Sequence, residues 1–226
     1  MGVMLQENQR YVAARAVDRW IVGVDLGQST DPTAICALHH RVVPLDNWKP
    51  KGGGVWRQAA THHFDVRHLE RLSLGTSYPA QVQHVVNLMG RPPLNAGATL
   101  VIDETGVGRP VGDLMDDARL KPTRVTITAG LETTQHGART FHVPKGVLIS
   151  GLDARLHTGE LRIAAALSDA GALADELKDF QRSVSAAGRA TYAARTGAHD
   201  DLVLSVAIAL WWATYGATSS VEPLRI

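Results

Sequence analysis

Three short acidic segments carry the residues of this sequence that are best suited to chemistry. Asp25 lies in GVDLGQSTDPT, Asp103 lies in VIDETG, and Asp200 and Asp201 open GAHDDLVLSVAIALWW. Each carboxylate stands at the edge of an apolar run, where burying a charge without a partner is costly. A divalent cation bound by oxygen ligands from distant parts of the chain would account for all three segments. The pattern therefore indicates metal-dependent phosphodiester chemistry.

The first two segments place an acid at the end of a predicted strand. Asp25 is followed by a glycine that would let backbone or phosphate approach closely, although an Asp that accepts turn hydrogen bonds explains the same pattern. Asp31, which precedes a proline, is interpreted as a turn residue. Side chains alternate along a strand, so Asp103 and Glu104 point to opposite faces and only one can join Asp25. We favour Asp103 and keep Glu104 in reserve.

The third segment has two aspartates in succession before an apolar helix. His199 or Asp200 can cap this helix, and its dipole favours an acid there by ~0.3–1 kcal/mol. A cap explains one aspartate and leaves the other unexplained. Two divalent ions ~3.5–4 Å apart, bridged by one carboxylate and flanked by the others, would need no nucleophilic side chain. The sequence offers no convincing nucleophile, since it has no GxSxG motif and Cys36 lies within an apolar strand.

Composition narrows the setting of this chemistry. The chain has 226 residues, a formal net charge of +1 and 45% hydrophobic residues, as in an ordinary globular protein. Cys36 is the only cysteine, which excludes an internal disulfide and favours a reducing compartment. The apolar run 202–217 is shorter than the ~20 residues that cross a bilayer, so we interpret it as a buried helix. With no signal-peptide pattern at the start, a cytoplasmic protein without membrane association is expected.

Hydrophobic periodicity and turn residues predict the elements that position these acids. The predicted class is α/β, with a mixed central sheet (an antiparallel meander followed by parallel strands) flanked by helices. We expect a leader helix or the remnant of a connection over 1–19, the domain over 20–217 and a C-terminal tail over 218–226. Strands are predicted at 20–25, 33–43, 55–66, 99–103, 124–128 and from 161, and an extended hairpin over 181–195. Helices are predicted at 78–89, 109–117, 145–156, 169–180 and from about 199.

The acidic segments occur together with three further markers: VPKG at 143–146, LRIAAAL from 161 and LADELKDFQ. In this order they resemble the nuclease domain of the tailed-phage (or prophage) terminase large subunit, from about residue 20 to 212. The resemblance implies a ribonuclease H-like fold and a metal-dependent endonuclease that cuts concatemeric viral DNA during packaging in the bacterial host. It implies two Mg²⁺ or Mn²⁺ ions, held by Asp25, Asp103 and Asp200, with Asp201 as a further ligand.

The resemblance also implies partners. Double-stranded DNA would be the substrate, and Lys145, Arg189 and Arg195 are candidate phosphate contacts. Arg109, which follows glycines 106 and 108 at a predicted helix start, is another. No GxxxxGK[ST] phosphate loop occurs, so this chain is not a packaging motor by itself. It is interpreted as an isolated nuclease domain, a split gene product or a prophage remnant, three alternatives that stay open. An ATPase motor outside this chain, a small terminase subunit and a portal are the expected partners.

Three alternatives stay open on the sequence. Another ribonuclease H-like nuclease, of the resolvase type, would share the metal site. GVDLGQST also resembles the first phosphate-binding turn of actin-like and sugar-kinase-like ATP-binding folds. A prophage remnant that binds DNA but is catalytically inert would keep the fold without productive metal binding.

Overall fold

Strands that begin and end near the acidic segments build the centre of the molecule. The computed structural model describes residues 9–27, 31–106, 109–184, 190–194 and 199–218. Nine strands form one mixed sheet, in the order β1-β4-β3-β2-β5-β6-β8-β7, with β9 paired to β4. Their bounds are β1 Arg10–Val12, β2 Val17–Asp25, β3 Ala34–Gly52, β4 Val55–Arg71, β5 Thr99–Asp103, β6 Thr123–Thr128, β7 Thr134–Gly137, β8 Thr140–Pro144 and β9 Leu161–Ile163. β2, β3 and β4 run antiparallel, whereas β5, β6 and β8 continue from β2 in parallel. The predicted mixed sheet is confirmed.

Helices cover both faces of this sheet. They are α1 Tyr78–Met89, α2 Arg109–Asp117, α3 Lys145–His157, α4 Ala170–Asp179 and α5 Asp201–Thr218. One apolar cluster joins α3, α4 and α5 to the first face, and a second joins α1 and α2 to the other. A separate antiparallel pair, β10 Phe180–Val184 and β11 Ala190–Ala194, precedes α5.

Helix α5 lies in the middle of the first layer. It contacts β2, β3, β4 and β5 on the sheet and also packs against α3 and α4. Every residue from 201 to 210 is buried, which explains why the helix is apolar all round. In the part of the chain that the structure describes, no helix combines the length and the apolar character that a membrane span requires.

The elements differ from the sequence predictions in three places. Residues 9–19 are not helical, because Tyr11 packs on Trp48 and Trp56, β1 pairs in parallel with β4, and β2 begins at Val17. The rest of the predicted leader or connection, residues 1–8, lies outside the described residues. Residues 47–54 (NWKPKGGG), which separate the predicted strands 33–43 and 55–66, are mostly strand, since β3 continues through Gly52. β3 pairs with β2 only as far as Val42, and prolines are tolerated on the open edge beyond it. The pair β7 and β8 was not predicted.

Candidate metal centre

Asp25 and Asp103 end neighbouring parallel strands and are register partners. Ile21 on β2 and Val101 on β5 belong to the apolar cluster under α5. Because side chains alternate along a strand, Asp25 and Asp103 point to that same face. The two carboxylates therefore lie side by side at the carboxyl ends of β2 and β5, near the start of α5.

Gly23 allows α5 to pass directly over β2. A Cβ atom at this position would lie 2.1 Å from the carbonyl oxygen of Ser205 and 2.9 Å from the Cβ of Ala209. Only a residue without a side chain permits such a close backbone approach. The glycine within WIVGVD was visible in the sequence, but its function in bringing the helix to the strand was not recognised.

The start of α5 brings the second pair of acids to these strand ends. The carbonyl of Asp200 accepts the first helical hydrogen bond from the Leu204 amide at 2.9 Å, so Asp200 is the N-cap residue. Asp201 follows in the first turn and is only 5% exposed. Both acids are close enough to Asp25 for their charges to act on it.

The pKa values of these carboxyl groups show how unfavourable their shared charge is. The pKa of Asp25 is well above its usual value because the group is buried and because Asp103, Asp201 and Asp200 repel its charge. Burial also raises the pKa of Asp103, against the hydrogen bonds from the hydroxyl and amide of Thr105. Burial raises the pKa of Asp201 to about 6, although Arg71 and His199 oppose the shift. A bound cation would favour the ionised form of each group.

Lys145 supplies one positive charge inside this group. Its Nζ lies 2.6 Å from Asp200 Oδ2, and its charge lowers the pKa of both Asp25 and Asp103. Lys145 opens α3 directly after the VPKG proline, which explains its position at the same end of the sheet. The ammonium group therefore occupies a position beside the acids that also attracts metal cations, with which it would compete.

A second set of possible metal ligands lies beside the four acids and shares Asp201 with them. Asp31, His199 and Asp201 each offer one ligand atom, and these atoms all lie within 4.8 Å of one another. The Oδ2 of Asp201 is buried and accepts no hydrogen bond from the described residues. Such a buried, unsatisfied carboxylate oxygen suits a metal ligand. Sequence reasoning interpreted Asp31 as a turn residue and His199 as a possible cap, so it missed both as candidate ligands.

The remaining predicted site residues lie elsewhere. Glu104 is buried on the other face, where its Oε2 is 3.8 Å from Nη1 of Arg124. Arg189 and Arg195 fall outside the described residues, as does the side chain of Arg109. Their predicted contacts with phosphate stay predictions.

Comparisons with known proteins point to one group of solved structures. The large terminase nuclease from thermophilic phage G20c with bound magnesium is 22% identical, with a TM-score of 0.57, over 90% of this chain and 84% of that one. The Thermus phage P74-26 large terminase nuclease domain is 20% identical, with a TM-score of 0.57, over 86% and 80%. The nuclease domain of the large terminase subunit gp2 of bacterial virus Sf6 is 15% identical, with a TM-score of 0.54, over 88% and 89%.

The likeness to these structures lies in the fold. No protein-family model matches the chain, and no curated protein matches its sequence. The chain has a ribonuclease H-like fold, with a mixed sheet flanked by helices, as the sequence predicted. Within that class, its fold is the one seen in large terminase nuclease domains.

Proposed function

We propose that this chain is a divalent-metal-dependent endodeoxyribonuclease of the large-terminase type. The observation that carries the proposal is the meeting of two in-register strand-end carboxylates with two acids at the start of a buried helix. Asp25 and Asp103 come from the sheet, and Asp200 and Asp201 come from α5. The likeness in fold to terminase nucleases, one of them with bound magnesium, supports the same function.

The residues fit divalent cations. Hard cations prefer carboxylate oxygens, and four carboxylates held together against their mutual repulsion are such a set. Asp25, Asp103 and Asp200 would hold one Mg²⁺ or Mn²⁺ ion, and Asp201 with Asp31 and His199 would contribute to a second. When bound, such ions activate water for attack on a phosphodiester and stabilise the leaving oxygen.

The protein's own residues would position the substrate. Lys145 lies among the acids but is partly exposed, so it can contact a phosphate once cations neutralise Asp200. Arg109, Arg189 and Arg195 are proposed as further contacts with the DNA phosphates. The proposed substrate is double-stranded viral DNA in the bacterial host cell. An ATPase motor, a small terminase subunit and a portal are the proposed partners.

Plasmid cleavage tests this function. Purified protein should nick or linearise supercoiled plasmid with Mn²⁺ or Mg²⁺ and leave it intact with EDTA. Asp25→Asn and Asp200→Asn should each reduce the rate by about 100-fold or more, since even outer-shell changes cost 10–100-fold. Asp18→Asn is the matched control, because Asp18 lies on the same strand but its side chain is 72% exposed and pairs with His39.

Two outcomes would contradict the proposal. Intact plasmid after incubation with Mn²⁺ at low salt would favour an inert, DNA-binding protein. Undiminished cleavage by the folded Asp25→Asn variant would place the chemistry elsewhere.

A further inference from the structure

Glu176 is a buried acid that the proposed metal centre does not explain. It lies on α4, in the LADELKDFQ segment, and is only 6% exposed. A buried carboxylate must be hydrogen-bonded or paired, because its desolvation is costly. Its two carboxylate oxygens have different partners, the Arg71 side chain and the Val203 amide, and both partners lie near Asp201.

One oxygen anchors the start of α5. Glu176 Oε2 accepts a hydrogen bond from the Val203 amide at 3.0 Å. This amide belongs to the first turn of the helix, where N–H groups have no partner within the helix. Glu176, which lies on α4, thus fixes the first turn of α5, and this turn carries Asp201.

The other oxygen restrains an arginine. Arg71 ends β4, and its Nη2 donates to Glu176 Oε1. The backbone amide of Arg71 donates to Asp169 Oδ2 at 3.2 Å, just before α4. The end of β4 and the start of α4 are thereby tied to each other.

Arg71 also faces Asp201 but does not bind it closely. Its Nε is 3.7 Å from Asp201 Oδ2, beyond hydrogen-bond distance, although their charges attract. Both atoms are buried and make no hydrogen bond with the described residues. Glu176 holds the guanidinium at Nη2. The carboxylate of Asp201 therefore stays available as a metal ligand together with Asp31 and His199.

We propose that Glu176 is a positioning residue for the metal centre, acting through Arg71. It fixes the first turn of α5 and keeps the guanidinium from forming a close, bidentate pair with Asp201. Without the Glu176 charge, Arg71 would turn to Asp201 and compete with a metal ion for its oxygens. This inference rests on the proposed function in one respect, namely that Asp201 binds a divalent cation.

Calorimetric titration of the metal-free protein with Mn²⁺ tests the inference without any activity measurement. Glu176→Gln can still accept the Val203 amide but cannot hold Arg71 by charge. Its dissociation constant for Mn²⁺ should rise about 10-fold or more. Asp175→Asn is the matched control, because it removes a charge from the adjacent position of α4, where Asp175 is exposed and pairs with Lys178. This control should bind Mn²⁺ within about twofold of the wild type.

A double variant separates positioning from folding. Arg71→Met combined with Glu176→Gln removes the competitor together with its restraint, so neither the guanidinium nor the Glu176 charge is left without the other. Its Mn²⁺ affinity should return to within about threefold of the wild type, whereas two independent structural defects would add. Thermal unfolding in EDTA establishes that each variant is folded. If Glu176→Gln does not fold, Glu176→Asp replaces it, and a smaller loss of affinity is expected because the charge is kept on a shorter side chain.

The outcomes are distinct. A wild-type protein that binds no Mn²⁺ would overturn the proposed function itself. Wild-type binding with an unchanged dissociation constant in folded Glu176→Gln, or in the Asp variant that replaces it, would overturn only the role of Glu176. A double variant that binds more weakly than Glu176→Gln would show that Arg71 does not compete for Asp201.

Discussion

Replacing Gly23 with alanine tests whether the packing of α5 on β2 sets the metal centre. The added Cβ would lie 2.1 Å from the Ser205 carbonyl oxygen, against the 3.4 Å at which ordinary contact begins. The shortfall is about 1.3 Å, and the obstructing atom is backbone, which cannot rotate away. Helix and strand must therefore separate, and the start of α5 must move with the helix.

The size of the effect follows from this displacement. Overpacking of a close-packed core costs about 1–3 kcal/mol, so the free energy of unfolding should fall by that amount. A misplacement of ~1 Å at a reacting centre can cost about 100-fold in rate. We expect Gly23→Ala to remain folded and to cleave plasmid about 100-fold more slowly with Mn²⁺. Initial cleavage rates and urea unfolding measure the two quantities.

Gly151→Ala is the matched control for this substitution. Gly151 lies on the exposed side of α3, and a Cβ there would meet nothing within 4 Å. Alanine should stabilise that helix by up to ~1 kcal/mol and leave cleavage unchanged. Cleavage at the wild-type rate by folded Gly23→Ala would show that the close approach of α5 to β2 does not position the acids.

Two further predictions concern the charges of the centre. The pKa of Asp25 is raised, and the pKa of Asp201 is raised to about 6, so the folded state holds protons that the unfolded chain releases. The stabilising contribution of these two acids to the metal-free protein should be lost as the pH rises through about 6, whereas His40, whose pKa burial lowers to about 3, contributes in the opposite sense. The histidine contribution is the same with and without metal, so the rise in melting temperature on replacing EDTA with saturating Mn²⁺ should be larger at about pH 7 than at about pH 5. An equal rise at both pH values would contradict this prediction. Lys145→Met removes the ammonium group 2.6 Å from Asp200, so Mn²⁺ should bind severalfold more tightly while plasmid cleavage falls with the lost phosphate contact. Unchanged Mn²⁺ affinity would show that Lys145 does not compete with the cation.

Local sequence patterns correctly predicted the helices and strands whose bounds depend only on nearby residues. The bounds of α1, β5 and α2 agree with the predicted 78–89, 99–103 and 109–117, because helical periodicity, buried strands and glycine punctuation fix them locally. The long pairing of β3 with β4 was underestimated. Prolines 44 and 50 of β3 lie beyond the end of β2, where the strand has an open edge that tolerates proline. The position of this open edge depends on the length of β2, which the local sequence of β3 does not show.

Some residues of the candidate metal centre could likewise be predicted from local sequence, and others could not. The edge positions of Asp25 and Asp103 follow from strand ends and alternation, which a sequence displays. Asp31 and His199 could not be predicted as neighbours of Asp201, because their meeting depends on how α5 crosses the sheet. The same holds for Glu176, whose partners lie 105 and 27 positions away in sequence.

Anomalous diffraction from crystals grown with Mn²⁺ would locate bound metal without any activity measurement. Manganese peaks are expected at the carboxyl ends of β2 and β5, ligated by the carboxylates of Asp25, Asp103 and Asp200, with Asp201 beside them. Manganese bound only elsewhere, or no peak beside these four acids at saturating Mn²⁺, would contradict this expectation.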